Sequence, residues 1–109
     1  MQLDDMRARA LGVRDLYDQL NGQKRGRAWT REELMLGFMG DVGDLAKLVA
    51  VAEGARDLPG GPDALAHELA DCLWCVLVLA DTYGVDLPTE FDRTMDQVTT
   101  ALSAEIDTL

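Results

Sequence analysis

The stretch ELADCLWCVLVL, residues 68–79, decides the fold of this chain because it joins two acidic residues to a long apolar run. On a helix of about 3.6 residues per turn, its apolar side chains cover most of the circumference. A helix that is apolar on all sides must be covered on all sides, and one small bundle rarely does that alone. We therefore expect a homo-oligomer, either a homodimer or a homotetramer, with this helix near its middle.

Working outward from this stretch, helical periodicity recurs in three further segments, which Gly, Pro and Asn residues separate. The first should end at Asn21-Gly22, and the second should begin at Thr30, with Glu33 completing a capping box. Asp86 is the expected N-cap of the last helix. The predicted helices run from about Leu3 to Leu20, Thr30 to Glu53-Gly54, Asp63 to Tyr83, and Leu87 to Asp107. No segment alternates with period two, so we expect an all-α fold, a four-helix antiparallel bundle.

Length and charge restrict the classes of protein to which the chain can belong. Its 109 residues suffice for one domain, residues 1–109, and 48% hydrophobic with 28% charged residues is typical of a globular protein. The net charge of −10 repels nucleic acid and anionic membranes. The chain has no apolar run of the about 18 residues that a membrane span needs, and no basic, then apolar, signal sequence at its start. We expect a cytoplasmic protein with no nucleic-acid or membrane partner.

Four acidic residues are unusual because apolar residues surround them. Asp41 and Asp44 lie three residues apart in the second predicted helix, and Glu68 and Asp71 lie three apart in the third. At about 100° per residue, each pair projects from one face of its helix. Consecutive helices joined by a turn can pack as an antiparallel hairpin, which would bring the two pairs together.

A buried group of carboxylates needs a compensating positive charge, because burying one unpaired carboxylate costs several kcal/mol. A hard divalent cation such as Mg²⁺ suits a set of oxygen ligands. A di-iron site fits less well, because it uses Glu-x-x-His pairs and His67 directly precedes Glu68. The alternative from spacing alone is that these acids lie on solvated helix faces, as most helical Asp and Glu residues do.

At these residues the sequence is similar to the MazG family of all-α nucleoside triphosphate pyrophosphohydrolases, over roughly Trp29 to Phe91. Residues 40–45, GDVGDL, stand at the family's Glu-Glu-x-x-Glu motif, and residues 68–71, ELAD, stand at its Glu-x-x-Asp motif. The resemblance implies a MazG-like bundle and hydrolysis of a (d)NTP to (d)NMP and pyrophosphate, as in the removal of unwanted nucleotides. It also implies a Mg²⁺ cofactor, with Mn²⁺ as a substitute. It implies that four residues both bind the metal and take part in catalysis, namely Asp41, Asp44, Glu68 and Asp71.

The first motif departs from the family pattern at three positions. Gly40 stands where the family has its first Glu, and Asp41 and Asp44 are each one methylene shorter than Glu. Glu33, two turns before Gly40, is either a partial replacement for the lost carboxylate or a capping residue. The departure keeps a second interpretation open, in which the chain is a catalytically silent helical dimer that binds nucleotide or a protein partner without hydrolysis.

Basic and aromatic residues ahead of the second helix are candidates for substrate binding. Lys24, Arg25 and Arg27 gather in one predicted loop, where they would hold the outer phosphates or simply be solvated. Trp29, beside that loop, is the best candidate to stack on a base. Lys47 would contact phosphate or form an ion pair one turn away on its own helix.

The two cysteines, Cys72 and Cys75, have the spacing of a redox pair but not its setting. They lie mid-helix among apolar residues, away from the helix N-terminus that lowers a thiol pKa. We expect two buried thiols that pack as small apolar groups.

Overall fold

The computed structural model describes the whole chain, Met1–Leu109, and contains four α-helices and no strand. The expectation of an all-α fold is therefore confirmed. None of the helices combines the length and the apolar character that crossing a membrane requires. The helices are α1 (Leu3–Arg25), α2 (Arg31–Ala52), α3 (Gly61–Thr82) and α4 (Leu87–Asp107).

The predicted end of α1 at Asn21-Gly22 is wrong, because the helix continues to Arg25. Asn21 is only 2% exposed, and its side-chain Oδ1 accepts a hydrogen bond from Arg25 one turn later. Because Arg25 occupies Oδ1, that oxygen does not compete for a backbone N–H, and the helix passes through Asn21. It ends at Gly26, whose φ of +78° suits glycine, and Lys24 and Arg25 belong to its last turn rather than to a loop.

The predicted capping box at the start of α2 is confirmed. The Glu33 backbone N–H donates to Oγ1 of Thr30 over 3.1 Å, and the Thr30 N–H donates to Oε1 of Glu33 over 2.9 Å. The N-cap of α4 is also as predicted, since an oxygen of Asp86 accepts from the Thr89 N–H. The third helix begins at Gly61, ahead of the predicted Asp63.

The Thr30 cap should contribute measurably to the unfolding free energy. Replacement of Thr30 by alanine leaves a backbone donor of the first turn without a partner, so we expect a loss of about 1 kcal/mol in unfolding free energy. Urea denaturation measures this loss. Thr30→Ser keeps the hydroxyl and should unfold like the wild type. An equal loss in both variants would contradict the capping role.

The chain forms two compact units, Met1–Val78 and Leu79–Leu109. The first contains α1, α2 and most of α3, and the second contains the end of α3 and α4. In the first unit, the indole N–H of Trp74 on α3 donates to the Ala10 carbonyl on α1 over 3.0 Å. This bond ties α3 to α1 close to Asp71 on α3.

The expectation of one domain for residues 1–109 stays a prediction. The buried apolar side chains are Ala10, Leu48, Cys75, Leu77 and Val78.

Apolar surface remains exposed on this single chain. Leu69 and Leu73 on α3 are 53% and 40% exposed, so α3 is not covered on all sides within one copy. No residue of α4 is buried, and its exposed apolar residues recur every three or four positions along one face. This stripe comprises Phe91, Met95, Val98, Leu102 and Ile106. Self-association, which would cover such surface, stays a prediction.

Candidate metal centre

The acidic residues of α2 and α3 meet in the first unit of the chain. One carboxylate oxygen from each of Asp41, Asp44 and Glu68 lies within 4.8 Å of the other two. A second group with the same spacing joins His67, Glu68 and Asp71. Glu68 belongs to both groups, and we call Asp41, Asp44, Glu68 and Asp71 the acidic cluster. The hairpin of α2 and α3 thus brings together the two pairs that the sequence places on separate helices.

Glu68 is the member of the cluster that most needs a positive charge. Its Oε2 is buried and has no hydrogen-bond partner. Burial raises the pKa of its carboxyl group, and the charges of Asp41, Asp71 and Asp44 raise it further, while His67 lowers it. An orphaned oxygen among other carboxylates is costly unless a cation binds it.

The donor set fits a hard divalent cation. All four cluster members offer carboxylate oxygens, the ligand type that Mg²⁺ prefers, and such sites leave positions for water or phosphate. Exposure differs within the cluster, because Asp44 is exposed whereas Asp41, Glu68 and Asp71 are partly buried. The alternative that these acids lie on solvated helix faces therefore fits Asp44 better than Glu68. The residues present match the cation that the sequence suggests.

Two neighbours hold cluster members in position. The thiol of Cys75 donates to Oδ2 of Asp41, with Sγ 3.6 Å away. Burial and the adjacent Asp41 raise the pKa of this thiol to about 12, so it stays protonated and keeps donating at neutral pH. On the other side, Nε2 of His67 lies 3.1 Å from Oδ2 of Asp71.

Sequence reasoning missed the contact between His67 and Asp71, although their spacing in the sequence could have indicated it. The position of His67 directly before Glu68 argues against a Glu-x-x-His di-iron pair. Its spacing to Asp71 is i,i+4, which places the two side chains on one helix face. The Cys75–Asp41 contact links residues 34 apart in the chain, and only packing reveals it.

A cleft of about 470 Å³ opens beside the cluster. Asp41 and Asp71 line it, and aromatic rings from α1, α3 and the segment before α2 form much of its wall. The ring centroids of Tyr17 and Trp29 are 4.9 Å apart, and those of Tyr17 and Trp74 are 5.5 Å apart. We call this space the aromatic cleft. It offers flat apolar surface next to carboxylates.

The other two cluster members border a second cavity of about 350 Å³. Asp44 and Glu68 line it together with Lys47, and Leu58 and Pro59 from the connection between α2 and α3 also contribute. We call this space the Lys47 pocket. His67 lines both cavities. The acidic cluster therefore borders two distinct spaces, one aromatic and one that contains a lysine.

The predicted substrate-binding residues separate in the structure. Trp29 lines the aromatic cleft and Lys47 lines its own pocket, but Lys24, Arg25 and Arg27 line neither. Arg27 donates two hydrogen bonds to Glu33, at 2.6 and 3.2 Å. The hydrogen bond from Arg27, together with the Thr30 backbone, lowers the pKa of Glu33 to about 2. Glu33 is thus a capping and ion-pair residue at the edge of the cleft.

Comparison of the chain with family models, with curated proteins and with solved structures found no match.

Proposed function

We propose that this protein is a Mg²⁺-dependent nucleotide pyrophosphohydrolase that cleaves (d)NTP to (d)NMP and pyrophosphate. The observation that carries the proposal is the position of Glu68, whose buried, unpartnered oxygen lies among the other cluster carboxylates. The aromatic cleft beside the cluster supports a nucleoside substrate. Removal of unwanted nucleotides is the cellular role that this activity suggests.

In this proposal the acidic cluster is the metal site. Asp41, Asp44, Glu68 and Asp71 would hold Mg²⁺, with Mn²⁺ as a substitute. An ion held by these carboxylates would neutralise phosphate charge and lower the pKa of a bound water. It would also make the local field positive, so that this acidic protein could accept a polyanion.

The surrounding residues would position the substrate and the ligands. Trp29 and Tyr17 line the aromatic cleft, where they would pack against a base. The Cys75 thiol fixes the orientation of one Asp41 oxygen. We further propose a MazG-like bundle that assembles as a homodimer or homotetramer in the cytoplasm, with no nucleic-acid or membrane partner. The exposed apolar residues of α3 and α4 support the assembly.

A product assay tests the activity directly. We expect the wild-type protein, given a panel of canonical and modified NTPs and dNTPs, to release pyrophosphate and monophosphate in Mg²⁺ or Mn²⁺ and to stop in EDTA. The products are separated by anion-exchange chromatography. Release of orthophosphate alone would contradict cleavage at the α-phosphorus. Equal turnover with and without divalent ions would contradict the role of the cluster.

A second function, binding of nucleotide or a protein partner without hydrolysis, is favoured by one observation. Gly40 supplies no carboxylate where the family motif has its first Glu, and no described side chain replaces it, because Glu33 pairs with Arg27. Binding of Mg²⁺ and NTP without any pyrophosphate release across the panel would support this alternative.

A further inference from the structure

We propose that the triphosphate tail extends from the aromatic cleft across the acidic cluster into the Lys47 pocket, where Lys47 binds the leaving pyrophosphate. This inference rests on the proposed pyrophosphohydrolase function and adds a direction to the bound substrate. It keeps the sequence-based expectation that Lys47 contacts phosphate and departs from the other one, in which the basic residues near Trp29 would hold the outer phosphates.

The division of the cluster between two cavities gives the substrate a path. Asp41 and Asp71 face the aromatic cleft, whereas Asp44 and Glu68 face the Lys47 pocket. Glu68 lies within 4.8 Å of ligand atoms on both sides, because it belongs to both groups of close ligand atoms. A ligand that contacts the whole cluster therefore reaches into both cavities.

The character of each cavity decides which end of the ligand it receives. The wall of the cleft carries Tyr17, Trp29 and Trp74, which suit the flat face of a base. The Lys47 pocket contains no Phe, Tyr or Trp ring, and its lysine ammonium is a compact point charge of the kind that binds phosphate. Its volume of about 350 Å³ is in the range of pockets that hold small ligands, roughly 300–1,000 Å³.

The basic residues at the other end are unsuited to the phosphates. Arg27 gives two of its donors to Glu33, so its charge is already neutralised at the edge of the aromatic cleft. Arg25 donates to Asn21 within α1. Neither lines the aromatic cleft or the Lys47 pocket. Lys47 lines a cavity together with two cluster carboxylates, those of Asp44 and Glu68.

Isothermal titration calorimetry with two probes tests the direction. The probes are imidodiphosphate, a non-hydrolysable pyrophosphate analogue, and the nucleoside monophosphate product, each with saturating Mg²⁺. We expect Lys47→Gln to weaken imidodiphosphate binding about tenfold, a loss of one charge-assisted contact. Monophosphate binding should change less than twofold. Lys47→Arg should retain most of the imidodiphosphate affinity, and the matched control Lys24→Gln should behave like the wild type.

The outcomes separate this inference from the function on which it rests. The proposed direction is overturned if Lys47→Gln binds imidodiphosphate as tightly as the wild type, or if Lys24→Gln loses affinity for it instead. In either case, pyrophosphate release by the wild type would still support the proposed function. Failure of the wild type to bind imidodiphosphate with Mg²⁺ would overturn the direction as well. Absence of both pyrophosphate release and Mg²⁺ binding would overturn the function itself.

Discussion

Replacement of Glu68 by glutamine should lower pyrophosphate release at least 100-fold, which corresponds to about 2.7 kcal/mol of activation free energy. Glu68 is the residue shared by both groups of close ligand atoms, so its loss removes charge from the whole cluster. The amide of glutamine keeps the size of the side chain but binds a divalent cation more weakly than a carboxylate. Steady-state assays at saturating nucleotide and Mg²⁺ measure this loss.

The same variant should be more stable than the wild type when no metal is present. The folded-state pKa of Glu68 is raised above the unfolded value, mainly by burial. Its favourable contribution is therefore present below the unfolded pKa and is lost as the pH rises through the folded pKa. Glutamine cannot ionise, so at pH 7 in EDTA we expect a rise in Tm of about 2–4 °C, a small value because the cluster is partly open to solvent.

Mg²⁺ should reverse this order of stability. At 100 times its Kd, the ion would stabilise the wild type by about 2.7 kcal/mol, and the variant should gain much less. Differential scanning calorimetry in EDTA and in Mg²⁺ gives both values. Glu105→Gln, an exposed position in α4, is the control and should leave activity and the Mg²⁺ response unchanged. A Mg²⁺ response in Glu68→Gln equal to that of the wild type would remove Glu68 from the site.

Replacement of Gly40 by glutamate should raise turnover about tenfold. Gly40 lies one helical turn before Asp44 on the same face of α2, so a carboxylate there adds to the cluster. A Cβ atom built at Gly40 meets nothing within 4 Å, so the first atom of an added side chain causes no clash. The added oxygen ligands should also tighten Mg²⁺ binding, and titration with Mg²⁺ alone measures that separately.

The alanine variant at the same position separates charge from helix stability. Gly40→Ala should stabilise α2 by about 1 kcal/mol, since glycine is a poor helix former, without changing turnover. If Gly40→Glu performs no better than Gly40→Ala, the cluster does not use a carboxylate at this position. Activity in Gly40→Glu with none in the wild type would favour the silent alternative for the natural chain.

The helices were largely predictable because their signals are local. Thr30 with Glu33 and Asp86 with Thr89 are hydrogen-bonded within three residues, so the sequence alone places these starts correctly. Asn21 misled the prediction for the end of α1. Its stop signal is also local, but in the fold its side chain is buried and its Oδ1 accepts a hydrogen bond from Arg25, which outweighed that signal.

The sequence by itself determined four helices and two acidic pairs, because the geometry of a helix places residues three and four apart on one face. Packing decided which of those faces meet. Helix packing joined Glu68 to both groups of ligand atoms and placed the Cys75 thiol on Asp41. It also placed Lys47 in a cavity with Asp44 and Glu68, whereas Trp29 lines the other cavity. These contacts join residues far apart in the chain, and their energies depend on burial and on neighbouring charges that exist only in the folded state.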